Sequence, residues 1–167
     1  MSRLARCGVI LALTFAGALA TAQDDKKKSP RRYGLAVDET TYPQQSPNDA
    51  MKSIGTALDR KRFDYLLAHM ADPAYVDYWV ERYKGEIPQG KDEGKRLLAF
   101  DKLMRETIQY FQNDPLIVKD LRLFAKEGKW TVAEDGTTAI GAVEAIPARK
   151  VFLKKIGDRW FLENRQQ

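Results

Sequence analysis

The chain has 167 residues, of which 44% are hydrophobic and 31% charged, and its 28 basic side chains exceed its 23 acidic ones for a formal net charge of +5. One cysteine and one histidine exclude a disulfide framework, a cysteine-ligated or histidine-rich metal site and any two-histidine mechanism. The length suits a single domain with a core of its own.

The chain opens on Arg3 and Arg6, then an uncharged apolar run from Cys7 to Leu19, then Ala20-Thr21-Ala22. Basic, apolar and small segments in that order are the layout of a secretory signal peptide, with cleavage expected near Ala22. The run is shorter than the ~20 apolar residues of a membrane-spanning helix. Gly8, Thr14 and Gly17 interrupt it, and a retained anchor is the alternative reading. Cys7 precedes the run, where a lipid-attachment cysteine would follow one, so it leaves with the leader. The expected location is extracytoplasmic, either periplasmic or secreted, for a domain without disulfides.

Residues 23–45 carry Asp24, Asp25, Lys26, Lys27, Lys28, Arg31 and Arg32, with Pro30, Pro43 and glutamines, and no periodic apolar pattern. This composition predicts a charged, flexible linker. From Asp38 to Gln167 basic and acidic residues are equal in number, so the positive excess lies in leader and linker. A nucleic-acid reader would carry that excess on its folded surface. No nucleic-acid partner is expected, and membrane contact only through the leader or the basic linker.

Ser46-Pro47 predicts a helix start by cap and first-turn proline, with Asp49 favouring the positive end of the dipole. Met51, Ile54 and Leu58 mark its apolar face. Phe63, Leu66, Leu67 and Met70 mark a second helical face. Asp72-Pro73 opens a third stretch in which Val76, Trp79, Val80 and Tyr83 share a side. After a loop over 85–90, a long helix is predicted over 92–112 with Leu97, Phe100, Met104, Ile108 and Phe111 on its buried stripe. Asn113-Asp114-Pro115 starts one more helix ending near Gly128, and a strand over 116–124 is the alternative.

The period then changes from helical to alternating. Residues 129–134 and 137–143 flank Asp135-Gly136 and predict a hairpin with Trp130 opposite Gly141 and Val132 opposite Ala139. Residues 150–156 and 159–164 flank Gly157-Asp158 and predict a second, pairing Lys155 with Trp160 and Leu153 with Leu162. The opposite face pairs Lys154 with Phe161 and Phe152 with Glu163, and reads as half exposed. The expected fold class is α+β, with N-terminal helices packed on a C-terminal antiparallel β-meander, as one domain over 46–167.

The opening SPNDAMKSIGTALDRKRFDYL and the closing KVFLKKIGDRWFLEN together resemble the nuclear transport factor 2-like (SnoaL-like, cystatin-related cone) superfamily. The resemblance covers about residues 47–72 and 129–164. It implies a curved, cone-like sheet wrapped by helices, a pocket between them and frequent homodimerisation through the sheet's outer face. It implies no single activity, since the fold hosts enzymes and binding proteins alike.

Chemistry-bearing residues are sparse. His69 projects to the flank of its helix and reads as a surface residue. Asp77 and Tyr78, in the aromatic-acidic run Tyr75, Asp77, Tyr78 and Trp79, are the types of a carboxylate base and a phenol donor. Trp130, Phe152, Trp160 and Phe161 are the candidates for a ligand or partner surface. No phosphate loop or nucleophile elbow is present, and neither cofactor nor metal is expected. The leading expectation is an exported non-catalytic domain that binds a small molecule or a protein through a sheet face or cone pocket. The alternative is a small acid-base enzyme, isomerase- or dehydratase-like, using Asp77, Tyr78 or His69.

Overall fold

The computed structural model describes residues 30–165, so the leader, its cleavage site and residues 23–29 lie outside the described residues. A short hairpin comes first, β1 (Arg31–Arg32) and β2 (Leu35–Ala36). Helices follow as α1 (Pro47–Asp59), α2 (Phe63–Tyr65) running into a π-helical turn at Leu66–Met70, α3 (Pro73–Gly85), α4 (Asp92–Asn113) and α5 (Pro115–Glu127). The chain closes on β3 (Lys129–Val132), β4 (Thr138–Ala142), β5 (Lys150–Ile156) and β6 (Arg159–Leu162), an antiparallel sheet in that order. The fold class is α+β.

Local chemistry starts three of the helices. Ser46 accepts from the Asp49 amide at 3.1 Å, Asp72 from Ala74 at 3.0 Å and Asp114 from Leu116 at 3.2 Å, each with proline in the first turn. Residues 116–124 are therefore helical. The meander has the expected register: Trp130 opposite Gly141, Val132 opposite Ala139, Leu153 opposite Leu162 and Lys155 opposite Trp160. The Trp130 ring lies flat on Gly141, where a Cβ would stand 2.6 Å from ring atoms. Ala139, Val151, Leu153 and Trp160 enter the same core as Met51 and Ile54 of α1 and Phe124 of α5. Gly55 brings α1 onto α5, since a Cβ there would stand 2.9 Å from that of Ala125.

Three expectations are corrected. The linker expected over 23–45 is folded in its described part: Tyr42 and Gln44 are 3% and 1% exposed, and Gln44 holds the free edge of β6. Arg32, counted with that charged tether, is ion-paired to Asp77 at 2.6 Å. The buried side of α4 is Ala99, Phe100 and Leu103, with Met104 and Phe111 partly buried and Leu97 40% exposed. α4 packs chiefly against α3, and the Tyr33 ring covers Phe100, so its covered side turns toward those two neighbours. Among the described residues, no helix is long and apolar enough to cross a membrane.

Candidate functional site

The polar centre of the molecule forms where α2 gives way to the π-helical turn. Ala71 donates to Leu66 O at 2.8 Å, which closes the wide turn, and the chain then extends toward Pro73. An α-helix would direct the Asp72 and Pro73 amides to the Ala68 and His69 carbonyls. The Asp72 amide donates instead to Leu162 O at 2.9 Å, and proline has no N–H to give. Two arginines satisfy the carbonyls left over. Arg32 Nη1 donates to Ala68 O at 3.1 Å, and Arg159 Nη2 donates to His69 O at 3.0 Å.

Arg32 belongs to the N-terminal hairpin, whose turn is Tyr33-Gly34 with φ of 51° and 80°. Positive φ at both central residues fits the right-handed twist of a hairpin, although a tyrosine there is strained. The ring is held by stacking on Phe100, with centroids 4.2 Å apart and planes 7° apart. The hydroxyl donates to Asp77 Oδ1 at 2.5 Å, and Arg32 Nη2 donates to the same oxygen at 2.6 Å. Burial, and then Asp77, push the Tyr33 phenol up to about 12.

His69 lies beneath this hairpin and is 3% exposed, which corrects the surface placement read from the helical projection. Its Nε2–H donates to Leu35 O at 3.0 Å, and its ring stands 4.8 Å from that of Tyr65. Burial lowers its pKa, the Arg159 and Arg32 charges lower it further, and the Leu35 carbonyl opposes them. Arg159 is fixed from inside the sheet: Nη2 also donates to Gln44 Oε1, while Gln44 Nε2 donates to Trp160 O at 2.7 Å. Among the described residues no carboxylate is ion-paired to Arg159, whose Nε is buried without a partner.

The acid-base pair expected of Asp77 and Tyr78 does not form. Tyr78 is 61% exposed, whereas Asp77 faces the hairpin. Adjacent residues on a helix do not share a face. The phenol that reaches Asp77 is Tyr33, which sequence reading passed over inside a charged segment. Its Tyr-Gly step before Leu-Ala-Val was the available turn signal. Asp77 Oδ1 is occupied by two donors from the chain itself, an arrangement that clasps the hairpin.

The four aromatics of the sheet are also distributed differently from expectation. Trp160 and Phe161 are buried, at 4% and 7% exposure, so the half-exposed stripe of Phe152 and Phe161 does not exist as such. Arg159 lies over the Phe161 ring at 5.2 Å, and Arg165 over the half-buried Phe152 at 4.8 Å. Trp130 covers Gly141.

Exposed aromatic surface lies elsewhere, on the antiparallel pair α3 and α4. The rings of Tyr75, Tyr78 and Tyr83 surround Trp79 with centroids 6.3, 5.5 and 5.6 Å from it. Arg82 caps Trp79 at 5.0 Å. Burial raises the Tyr75 phenol, Tyr110 of α4 adds to the rise, and the Tyr110 ring is 6.1 Å from that of Phe111. The outermost rings, Tyr78 and Tyr110, are 61% and 59% exposed.

Among the described residues no three His, Cys, Asp or Glu side chains gather into a metal-binding group. Compared with known proteins, the chain matches no family model, no curated protein and no solved structure.

Proposed function

We propose that this chain is an exported, non-catalytic binding domain that engages a protein partner through the aromatic surface of α3 and α4. The observation that carries the reading is the exposure of Tyr78, at the rim of the rings around Trp79 and its Arg82, and of Tyr110 on the neighbouring helix α4. Tyrosine, tryptophan and arginine dominate interface hot spots, and the two aromatics bury a large area at little entropic cost. Here they stand together on rigid helices, with Trp79 already ordered between Arg82 and its neighbours. The leader, Arg3 to Ala22, supports export. Helices packed on an antiparallel meander are the architecture that the nuclear transport factor 2-like resemblance implies, and that superfamily remains part of the reading.

The acid-base alternative draws on Asp77 beside the Tyr33 phenol. It is weaker because the Asp77 carboxylate is tied to the hairpin, with Oδ1 accepting from both Arg32 and Tyr33.

A photo-crosslinking residue at position 78, in cells that export the protein, tests the interface. One discrete adduct at 78, absent with the same residue at Ile156, is expected. Ile156 is also exposed, at 44%, but lies on the sheet. Equal labelling at both positions, or none, rejects the surface. N-terminal sequencing of the exported protein checks the leader, with Gln23 expected first.

A further inference from the structure

We propose that the hairpin Arg31–Ala36 is a pH-operated clasp, released from the body of the domain when His69 takes up a proton. The imidazole lies under the hairpin, with Nε2 bonded to Leu35 O at 3.0 Å. The charges of Arg32 in β1 and Arg159 in β6 both act on the ring. Both guanidinium groups are fixed there by the carbonyls of the π-helical turn, Ala68 O and His69 O. Tyr65 of α2 supplies a ring, and its hydroxyl accepts from the Asp38 amide.

The acidic groups around this centre are engaged with others or exposed. Asp77 of α3 is bonded to Arg32 and Tyr33, Asp38 accepts from the Thr41 amide, and Glu39 is exposed to solvent. Among the described residues no carboxylate is ion-paired to His69. A proton on its second nitrogen therefore creates a buried cation close to two arginines, without an ion-paired carboxylate. Desolvation and like-charge repulsion then act together, and both are relieved if water reaches the ring and one arginine leaves.

The hairpin is the part that can leave. Arg159 is anchored within the sheet by Gln44, whereas Arg32 is carried by a two-residue strand. The ion pair of the hairpin is partly exposed, with side chains 24% and 46% accessible for Arg32 and Asp77. Exposed pairs of this kind hold weakly. Release also relaxes Tyr33 from its left-handed φ of 51°. The hairpin adds only the partly buried Tyr33 and Leu35 to the edge of the core, whose centre is Met51 and Ile54 of α1, Phe124 of α5 and Leu153 of the sheet.

The chain holds one histidine, so a substitution at position 69 removes every imidazole that titrates in this range. Hydrogen exchange on the full-length chain, corrected for the intrinsic effect of pH on exchange, reads the opening directly. Opening of residues 31–37 is expected to increase by up to about tenfold per pH unit below roughly 6.5. Amides of α5 and β5 should keep their protection. H69Q retains an N–H for Leu35 O but cannot titrate, and its hairpin exchange should be flat with pH. An equal pH response in H69Q, no response in wild type, or simultaneous opening of hairpin and core would each overturn the proposal. Should H69Q fail to fold, the wild-type histidine NMR titration decides. Its midpoint must coincide with hairpin opening, and separate midpoints reject the clasp.

Discussion

Asp77, Arg32 and Tyr33 share one carboxylate oxygen, so each holds the other two in place. Removing the carboxylate frees the guanidinium to water but leaves the phenol without an acceptor. The Tyr33 ring still stacks on Phe100, and burial is the larger cause of its raised pKa. In Asp77→Ala the Tyr33 phenol should therefore fall from about 12, yet stay above its ordinary 10.0. An ultraviolet tyrosinate titration against Tyr33→Phe isolates that one phenol. Stability should drop by about 1 kcal/mol, because the ion pair is partly solvated and only the phenol loses a shielded bond. An unchanged phenol would mean that Asp77 does not hold the hairpin. The same residues show why sequence alone paired Asp77 with the wrong phenol. Proximity in sequence suggested Tyr78, whereas Tyr33 acts across 44 positions.

Elements defined by local chemistry were legible, and those defined by distant contacts were not. Ser46-Pro47, Asp72-Pro73 and Asp114-Pro115 announce helices because cap and capped amide are neighbours in sequence. Asp135-Gly136 and Gly157-Asp158 fix the registers because a short turn leaves only one pairing. Residues 30–45 have the composition of a linker and are ordered by remote groups instead: Tyr33 by Phe100, and Gln44 by Trp160 at a separation of 116 residues. His69 was misplaced for a different reason. The projection assumed 3.6 residues per turn, but the wide turn over Leu66–Met70 changes the angle of each side chain, and the hairpin covers the result. The exposed rings of α3 were visible as a run, but only tertiary packing decides which of them reach solvent. A domain boundary at Ser46 is thus too late. A chain beginning at Ser46 loses buried Tyr42 and all three Gln44 hydrogen bonds to β6, and should be less stable than one beginning at Pro30 by more than about 3 kcal/mol. Urea unfolding of the two compares them. Equal midpoints would return residues 30–45 to the status of a tether.

For the molecule as a whole, the single buried histidine separates two pH windows. The folded state holds the His69 pKa below its ordinary 6.5, so the unfolded chain takes up the proton first. Stability from this group is complete above 6.5 and declines as pH falls through that value toward the folded pKa. One proton limits the decline to about 1.4 kcal/mol per pH unit. Carboxylates act later and in the same direction. The Thr41 amide holds Asp38 below its ordinary 3.8, and the Thr137 amide does the same for Asp135. Their contribution persists above 3.8 and is lost only as pH falls through their lower folded values. Above 3.8 neither of these two carboxylates adds slope, and the rise in the histidine range is the contribution of His69. It ends once the hairpin is released, because a solvated imidazole titrates alike in the open and unfolded chains. Urea midpoints taken across pH 3 to 8 should show an acid limb, a plateau, a rise through the histidine range and a second plateau. In H69Q the rise should vanish while the acid limb stays. A rise that survives the substitution would place the proton on another group and overturn the assignment to His69.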